Sequence, residues 1–404
     1  MPAGTSGARG SSERLAHLTP MLVSDLLTPT LLVDLDRLDA NIAAMQARAD
    51  GWGVRLRPHA KTHKTAEVAR RQLGAGAAGL TVATVAEAEA FAAAGARDLL
   101  LATPVVTEAA FQRLDALRED GVALGFTVDT LAGARRAAAY FGPLQTAVDV
   151  LVEVDTGHGR NGVAWDDPDA AALVAEIAAL PGLTVAGVLT HGGHVYGGAA
   201  DGETAAEALA RASAEERDRL LTFAARLGAA GLLLPQTSVV SLGSTPTLSA
   251  FEPAEVDGFR VTEIRPGAYV FGDAEQVALG AVAPRACALV CVATAISKHR
   301  ADDGTERVIV DAGKKTLTTD RPVGSETYGV VLYSPRTMVP NPHAAVVALS
   351  EEHGFVDTPG GSIYDVGDPV FVLPNHACVA VATRPRLYAV RGDEVVETWE
   401  VVAR

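Results

Sequence analysis

Residues 54–64, VRLRPHAKTHK, run a short apolar-alternating segment directly into a cluster of cations. Residues 54–58 (VRLRP) are too few for a buried helix and predict a strand. A dinucleotide-binding open sheet would place a Gly-rich turn after its first strand, and here His59-Ala60-Lys61 stands instead. Further short apolar runs follow at 79–83 (GLTVA), 98–103 (DLLLAT), 122–128 (VALGFTV), 147–154 (AVDVLVEV), 183–190 (LTVAGVLT), 236–242 (QTSVVSL) and 261–264 (VTEI). Ala-rich amphipathic stretches alternate with them, at 85–94, 108–119, 131–141, 168–180 and 204–230, with the weakest helical signal after Leu242. Eight strands alternating with helices predict an α/β fold, a (β/α)8 TIM barrel, over its doubly wound rival.

The texture changes near residue 275. Strand-like runs at 285–296, 307–310, 329–332, 344–349, 369–372, 378–383 and 386–390, with Gly, Pro, Asp and Asn between them, predict a mostly β C-terminal domain. Four segments follow: a flexible N-terminal tail over 1–27, a strand within 28–36 able to join the β domain, a barrel over 37–274, and the β-rich domain over 275–404. The chain has 404 residues, 48% hydrophobic and 21% charged, with a formal net charge of −15. That profile suits a globular protein and argues against a nucleic-acid partner, which needs clustered Lys and Arg. No apolar run reaches the ~20 residues of a membrane-spanning helix, and residues 1–27 lack the apolar core of a secretory signal. Three cysteines, at 287, 291 and 378, exclude a disulfide scaffold and suit a reducing cytoplasm.

Active sites of such barrels lie at the C-terminal ends of the strands, where Lys61 falls. The neighbouring cations His59, His63 and Lys64 favour a neutral, nucleophilic amine there, although a solvated loop cation would read the same way. Gly243-Ser244-Thr245-Pro246-Thr247 follows the seventh strand, and the eighth ends in Arg265-Pro266-Gly267-Ala268-Tyr269. Loops after strands seven and eight are where barrels commonly hold phosphate, on free backbone N–H groups and hydroxyls. Glu153–Gly162 (EVDTGHGRNG) and His191–Tyr196 (HGGHVY) close the fifth and sixth strands, and Asp155–Arg160 reads equally as an ordinary loop ion pair. In 373–378 (LPNHAC), His376 and Cys378 would share one side of an extended chain and could hold a metal, Zn²⁺ suiting imidazole plus thiolate. Cys287 and Cys291 read as core packing.

TPTLLVDLDRLDANI, RPHAKTHK, EVDTGHGRNG, HGGHVYG, GSTPT, RPGAYVFGD and LPNHAC occur in this order between Thr28 and Cys378. Together they resemble the D-threonine aldolase / D-serine dehydratase-like family of fold-type III pyridoxal-phosphate enzymes, distant relatives of alanine racemase, with the zinc-dependent D-serine dehydratase pattern nearest. The resemblance implies that Lys61 forms a Schiff base with pyridoxal 5'-phosphate. It implies that Gly243, Ser244, Thr245, Gly267 and Tyr269 grip the phosphate, that Arg160 lies by the phenolic oxygen, and that Tyr196 partners the pyridine nitrogen. His376 and Cys378 would bind a divalent metal, and the family forms homodimers.

Two lyase activities follow. In dehydration of a D-3-hydroxy amino acid, Lys61 removes the Cα proton and a metal-assisted hydroxyl leaves, giving a 2-oxo acid and ammonia. In retro-aldol cleavage to glycine and an aldehyde, a base, with His194 as candidate, takes the hydroxyl proton. Aldolases of the family carry Asp where this chain has Cys378, and use a harder ion such as Mn²⁺, so Cys378 favours dehydration. A racemase would leave the His-x-Cys pair idle, and pyridoxal-phosphate carrier proteins lack the β domain.

Overall fold

The computed structural model describes residues 20–144, 146–300, 302 and 305–403. Eight parallel strands form the barrel: Arg55–Leu56, Leu80–Val82, Asp98–Leu101, Ala123–Val128, Val148–Asp155, Leu183–Leu189, Val239–Leu242 and Glu263–Ile264. The last pairs back to the first, Ile264 opposite Leu56, and a single bridge from His59 to Thr81 closes the ring between first and second. The Thr81 N–H donates to the Pro58 carbonyl at 2.8 Å, so closure occurs just before the Lys61 turn.

The helices begin where side-chain oxygens can take the otherwise orphaned first N–H groups. Thr84, Thr130 and Thr204 cap the helices Val85–Ala93, Leu131–Phe141 and Ala205–Ala229 in this way. Small alanines on their inner faces let these helices lie close on the strands, and Phe111, Phe126 and Phe141 fill the wider gaps. The weak helical signal after Leu242 corresponds to a five-residue helix, Thr245–Ser249. Inside the barrel, Leu100, Leu151 and Leu189 form a buried apolar plug. Leu189 faces the upper cavity and Leu100 and Leu151 the lower end, where Arg57 bonds Glu263 at 2.8 Å and Asp98 at 2.7 Å.

The C-terminal part forms a second, ten-stranded sheet. Thr30–Asp34 lies inside it, antiparallel to Leu289–Arg300 and parallel to Arg386–Arg391. The apolar run 378–383 predicts a strand, but Ala377–Ala382 is a short helix that buries Ala377, Ala380 and Val381 and leaves Val379 exposed. Gly354–Thr358 and Glu394–Glu400 are strands that the polar-interrupted sequence did not signal. Residues 1–19 of the expected flexible tail lie outside the described residues. Its last part is held in place: the Val23 N–H donates to Asp393 O, and the Val395 N–H to Met21 O. Cys287 and Cys291 are buried, and burial pushes both thiols up to about 12. Among the described residues no helix is long and apolar enough to cross a membrane.

Candidate active site

The strand ends open into a cavity of about 700 Å³. Lys61 enters it from the turn Ala60–Thr62, whose start is pinned by the His59 N–H donating to Pro266 O at 2.9 Å. Burial, reinforced by the charge of Lys61, holds the facing rings of His59 and His191 well below the ordinary imidazole value. Two of the cations expected around Lys61 turn away. Lys64, with φ of +48°, sends its Nζ to Glu87 Oε1 at 2.6 Å and to the Ala403 carbonyl at 2.8 Å, and His63 is buried with its ring 5.7 Å from Phe91. A buried ammonium needs a carboxylate more than it needs a neighbouring amine.

Gly243, Ser244, Thr245 and Gly267 all line the cavity. Contrary to expectation, the Gly243 N–H is taken by Glu216 Oε1 at 3.0 Å and the Ser244 N–H by Thr247 Oγ1 at 3.2 Å. The hydroxyl of Thr245 is buried without a partner among the described residues. A Cβ at Gly267 would lie 2.7 Å from Thr62 Oγ1, so only glycine permits this close approach. An orphaned buried hydroxyl facing a glycine-narrowed wall is a donor left for an anion, and with the amine of Lys61 it fits a phosphate-bearing aldehyde. Tyr269 is not on that wall: its ring sits in the core behind Gly267, and its phenol accepts a bond from Gln72 Nε2 at 3.0 Å.

Arg160 lines the cavity and lies 3.6 Å from Glu153, whose carboxyl is pushed up by burial. The alternative Asp155–Arg160 ion pair does not form. Asp155 Oδ1 instead accepts the N–H groups of Gly157, His158 and Gly159 and so shapes the loop. Tyr196 lines the cavity with its phenol raised by burial. His194 does not: its Nε2 lies 3.3 Å from Ala212 O and 3.6 Å from Glu215 Oε2, drawn to the long helix by that carboxylate.

The β domain brings His376 and Cys378 to the same cavity. They do not alternate along a strand: His376 is extended and caps the helix Ala377–Ala382, and Cys378 lies in that helix's first turn. The two still converge. Burial works against charge on the His376 ring, but contacts with Cys378 and Asp320 outweigh it and push the ring up to about 10. His376 Nδ1 meets Asp320 Oδ2 at 2.7 Å, which leaves Nε2 as the outward donor in the manner of a carboxylate-oriented metal ligand. Cys378 Sγ lies 3.2 Å from the hydroxyl of Thr62, next to Lys61. Among the described residues no three His, Cys, Asp or Glu side chains gather into a group that could hold a metal; His376 and Cys378 both line this end of the cavity.

Other side chains lining this site went unassigned in the sequence. Arg265 was visible at a strand end, and its guanidinium is buried, donating to Ser241 Oγ and Thr190 O at 2.5 Å each. Asp320 sits in a polar segment without periodicity, and Asp273 closes the RPGAYVFGD motif without a role being assigned to it. Asp273 Oδ2 accepts the Ala377 N–H at 2.9 Å and so fixes the segment that carries His376.

A barrel carrying a lysine in the turn after its first strand, in one cavity with a glycine- and hydroxyl-bearing loop at the far strand ends, is the arrangement of the fold-type III pyridoxal-phosphate enzymes. Residues 33–275 match the alanine racemase N-terminal domain and residues 288–390 the putative serine dehydratase domain, and the chain belongs to this family. It is 38% identical to D-threo-3-hydroxyaspartate dehydratase of Delftia sp. (strain HT23), over 92% of this chain and 96% of that one. It is 33% identical to D-threonine aldolase of Arthrobacter sp., over 93% and 92%. The solved structure of the Delftia dehydratase superposes with a TM-score of 0.83, covering 94% of this chain and 98% of that one. A variant of that enzyme with a cysteine replaced by alanine is described as a metal-free form (37% identity, TM-score 0.81, covering 94% and 98%).

Proposed function

We propose that this chain is a lyase that dehydrates D-3-hydroxy amino acids to a 2-oxo acid and ammonia, using pyridoxal 5'-phosphate on Lys61 and a divalent metal, Zn²⁺, on His376 and Cys378. The observation that carries the proposal is the meeting of two domains: Lys61 and the His376–Cys378 pair line one cavity, and Thr62 touches Cys378 at 3.2 Å. The cofactor supplies the electron sink for charge at Cα, and the metal supplies Lewis acidity toward a β-hydroxyl. Lys61 Nζ takes the Cα proton, since it is the amine at the cavity wall. His59 and His191, held neutral by burial and the nearby cations, line the cavity without adding charge to it. Thr245 and the wall at Gly267 would hold the phosphate, with Gly243 and Ser244 shaping that loop through their bonds to Glu216 and Thr247; Arg160 would serve the phenolic oxygen and Tyr196 the pyridine nitrogen. Asp320 fixes the imidazole of His376.

Retro-aldol cleavage, the activity named for the Arthrobacter relative, needs a base for the hydroxyl proton. His194, the candidate, is turned onto Ala212 and Glu215, which supports dehydration. The metal-free description of the Cys-to-Ala relative supports a thiol ligand, which suits Zn²⁺ better than Mn²⁺. A homodimer in the cytoplasm accords with the family pattern and with three unpaired cysteines. Product analysis with D-serine, D-threonine and D-threo-3-hydroxyaspartate tests the reading: oxo acid plus ammonia is expected, and glycine plus an aldehyde would replace it with the aldolase.

A further inference from the structure

The arginines on the cavity wall are not equally committed. Arg265 is buried and donates to Ser241 and Thr190, and Arg160 leans on Glu153 while donating to Asn161 Oδ1 at 2.9 Å. Arg321 differs. Its side chain is 44% exposed and its carboxylate neighbour Glu326, at 3.3 Å, is 94% exposed. An ion pair so open to water contributes little and yields readily to a ligand carboxylate. The guanidinium also lies 5.5 Å over the Tyr328 ring, which steadies its planar fork.

Its place in the cavity gives that fork a target. Arg321 follows Asp320, the residue that holds His376, so it borders the end of the cavity to which a β-hydroxyl would be drawn. Whatever else is attached to the β-carbon is carried to the same end. We propose that Arg321 is a specificity-determining residue that binds a carboxylate on the β-carbon, so that the preferred substrates are dicarboxylic D-3-hydroxy amino acids over D-serine and D-threonine. A guanidinium can meet such a carboxylate through two parallel hydrogen bonds. This inference rests on the lyase reading above.

Direct binding separates the two. D-Alanine and D-aspartate differ by one β-carboxylate and have no β-hydroxyl to lose, so calorimetric titration of the holoenzyme reads affinity without turnover. Wild type is expected to bind D-aspartate about 10- to 100-fold more tightly than D-alanine, the gain of a charge-assisted contact. Arg321→Ala should erase that preference with D-alanine unchanged, and Arg321→Lys should keep part of it. Loss of affinity for both ligands in Arg321→Ala would place the guanidinium on the α-carboxylate and overturn the proposal. A wild type without preference between the two would overturn it as well. A wild-type holoenzyme that bound neither amino acid would instead bring down the lyase reading on which it stands.

Discussion

Lys61 and His376 reach one cavity by different routes. Lys61 is set by the barrel's closure, where backbone hydrogen bonds from His59 to Pro266 and from Thr81 to Pro58 pin the chain as it enters the turn. His376 is set by side chains: Asn375 Nδ2 donates to the Asp320 and Thr327 carbonyls at 2.9 and 2.7 Å, and Asp273 takes the Ala377 N–H. Backbone ladders follow from the fold and survive most substitutions, whereas a segment fixed by two or three buried side chains is vulnerable at each of them. The proposed covalent handle therefore belongs to the robust half of the molecule, and the proposed metal end to the fragile one.

The sharpest way to break this contrast is at Lys61. Lys61→Ala should abolish turnover and the visible absorbance of bound cofactor while leaving the fold intact, because no other amine lines the wall among the described residues. Full activity in that variant would remove the assignment. At the other end, Cys378→Ala or a chelator should lower dehydration by about 100-fold or more yet leave cofactor absorbance in place, since the metal's contribution is several kcal/mol of charge stabilisation. Parallel loss of cofactor would show that the two ends are not separable. Asp320→Asn should act more gently, weakening metal affinity by about 10- to 100-fold through a loosened His376 ring; metal titration with unchanged affinity would deny it an orienting role.

The smallest effect concerns pH and lies under the barrel side. Burial holds His63 down at about 3, against an ordinary value near 6.5. The unfolded chain then binds the proton that the native state refuses, so stability falls as pH drops below about 6.5, by up to about 1.4 kcal/mol per unit from this group. His63→Gln should flatten the acid side of the stability profile between about pH 6.5 and 3. An unchanged slope in denaturant titrations would show that the ring is protonated in the fold.

Barrel strands were legible because each is a short apolar run between amphipathic helices, and Lys61, Arg160 and Gly267 were legible because strand ends place them. Tyr269 was misplaced because a tyrosine two residues beyond a glycine in the same loop can face either wall or core, and burial against Gln72 decides it. His194 was misplaced for the same reason: Glu215 lies more than twenty residues away in sequence, and only folding brings it beside the ring. Helix Ala377–Ala382 defeated the strand pattern because six small apolar residues carry no period strong enough to distinguish the two. Asp273, Asp320 and Glu216 matter through long-range bonds to backbone or imidazole, which local sequence cannot record.

The strand Thr30–Asp34, inserted between Leu289–Arg300 and Arg386–Arg391, makes the barrel an interruption of the other domain. During synthesis this strand leaves the ribosome early and must wait, with unsatisfied edges, until residues beyond 289 emerge. A fragment that ends with the barrel would expose that strand permanently. It should therefore be prone to self-association, so the two halves of this chain are best regarded as maturing together.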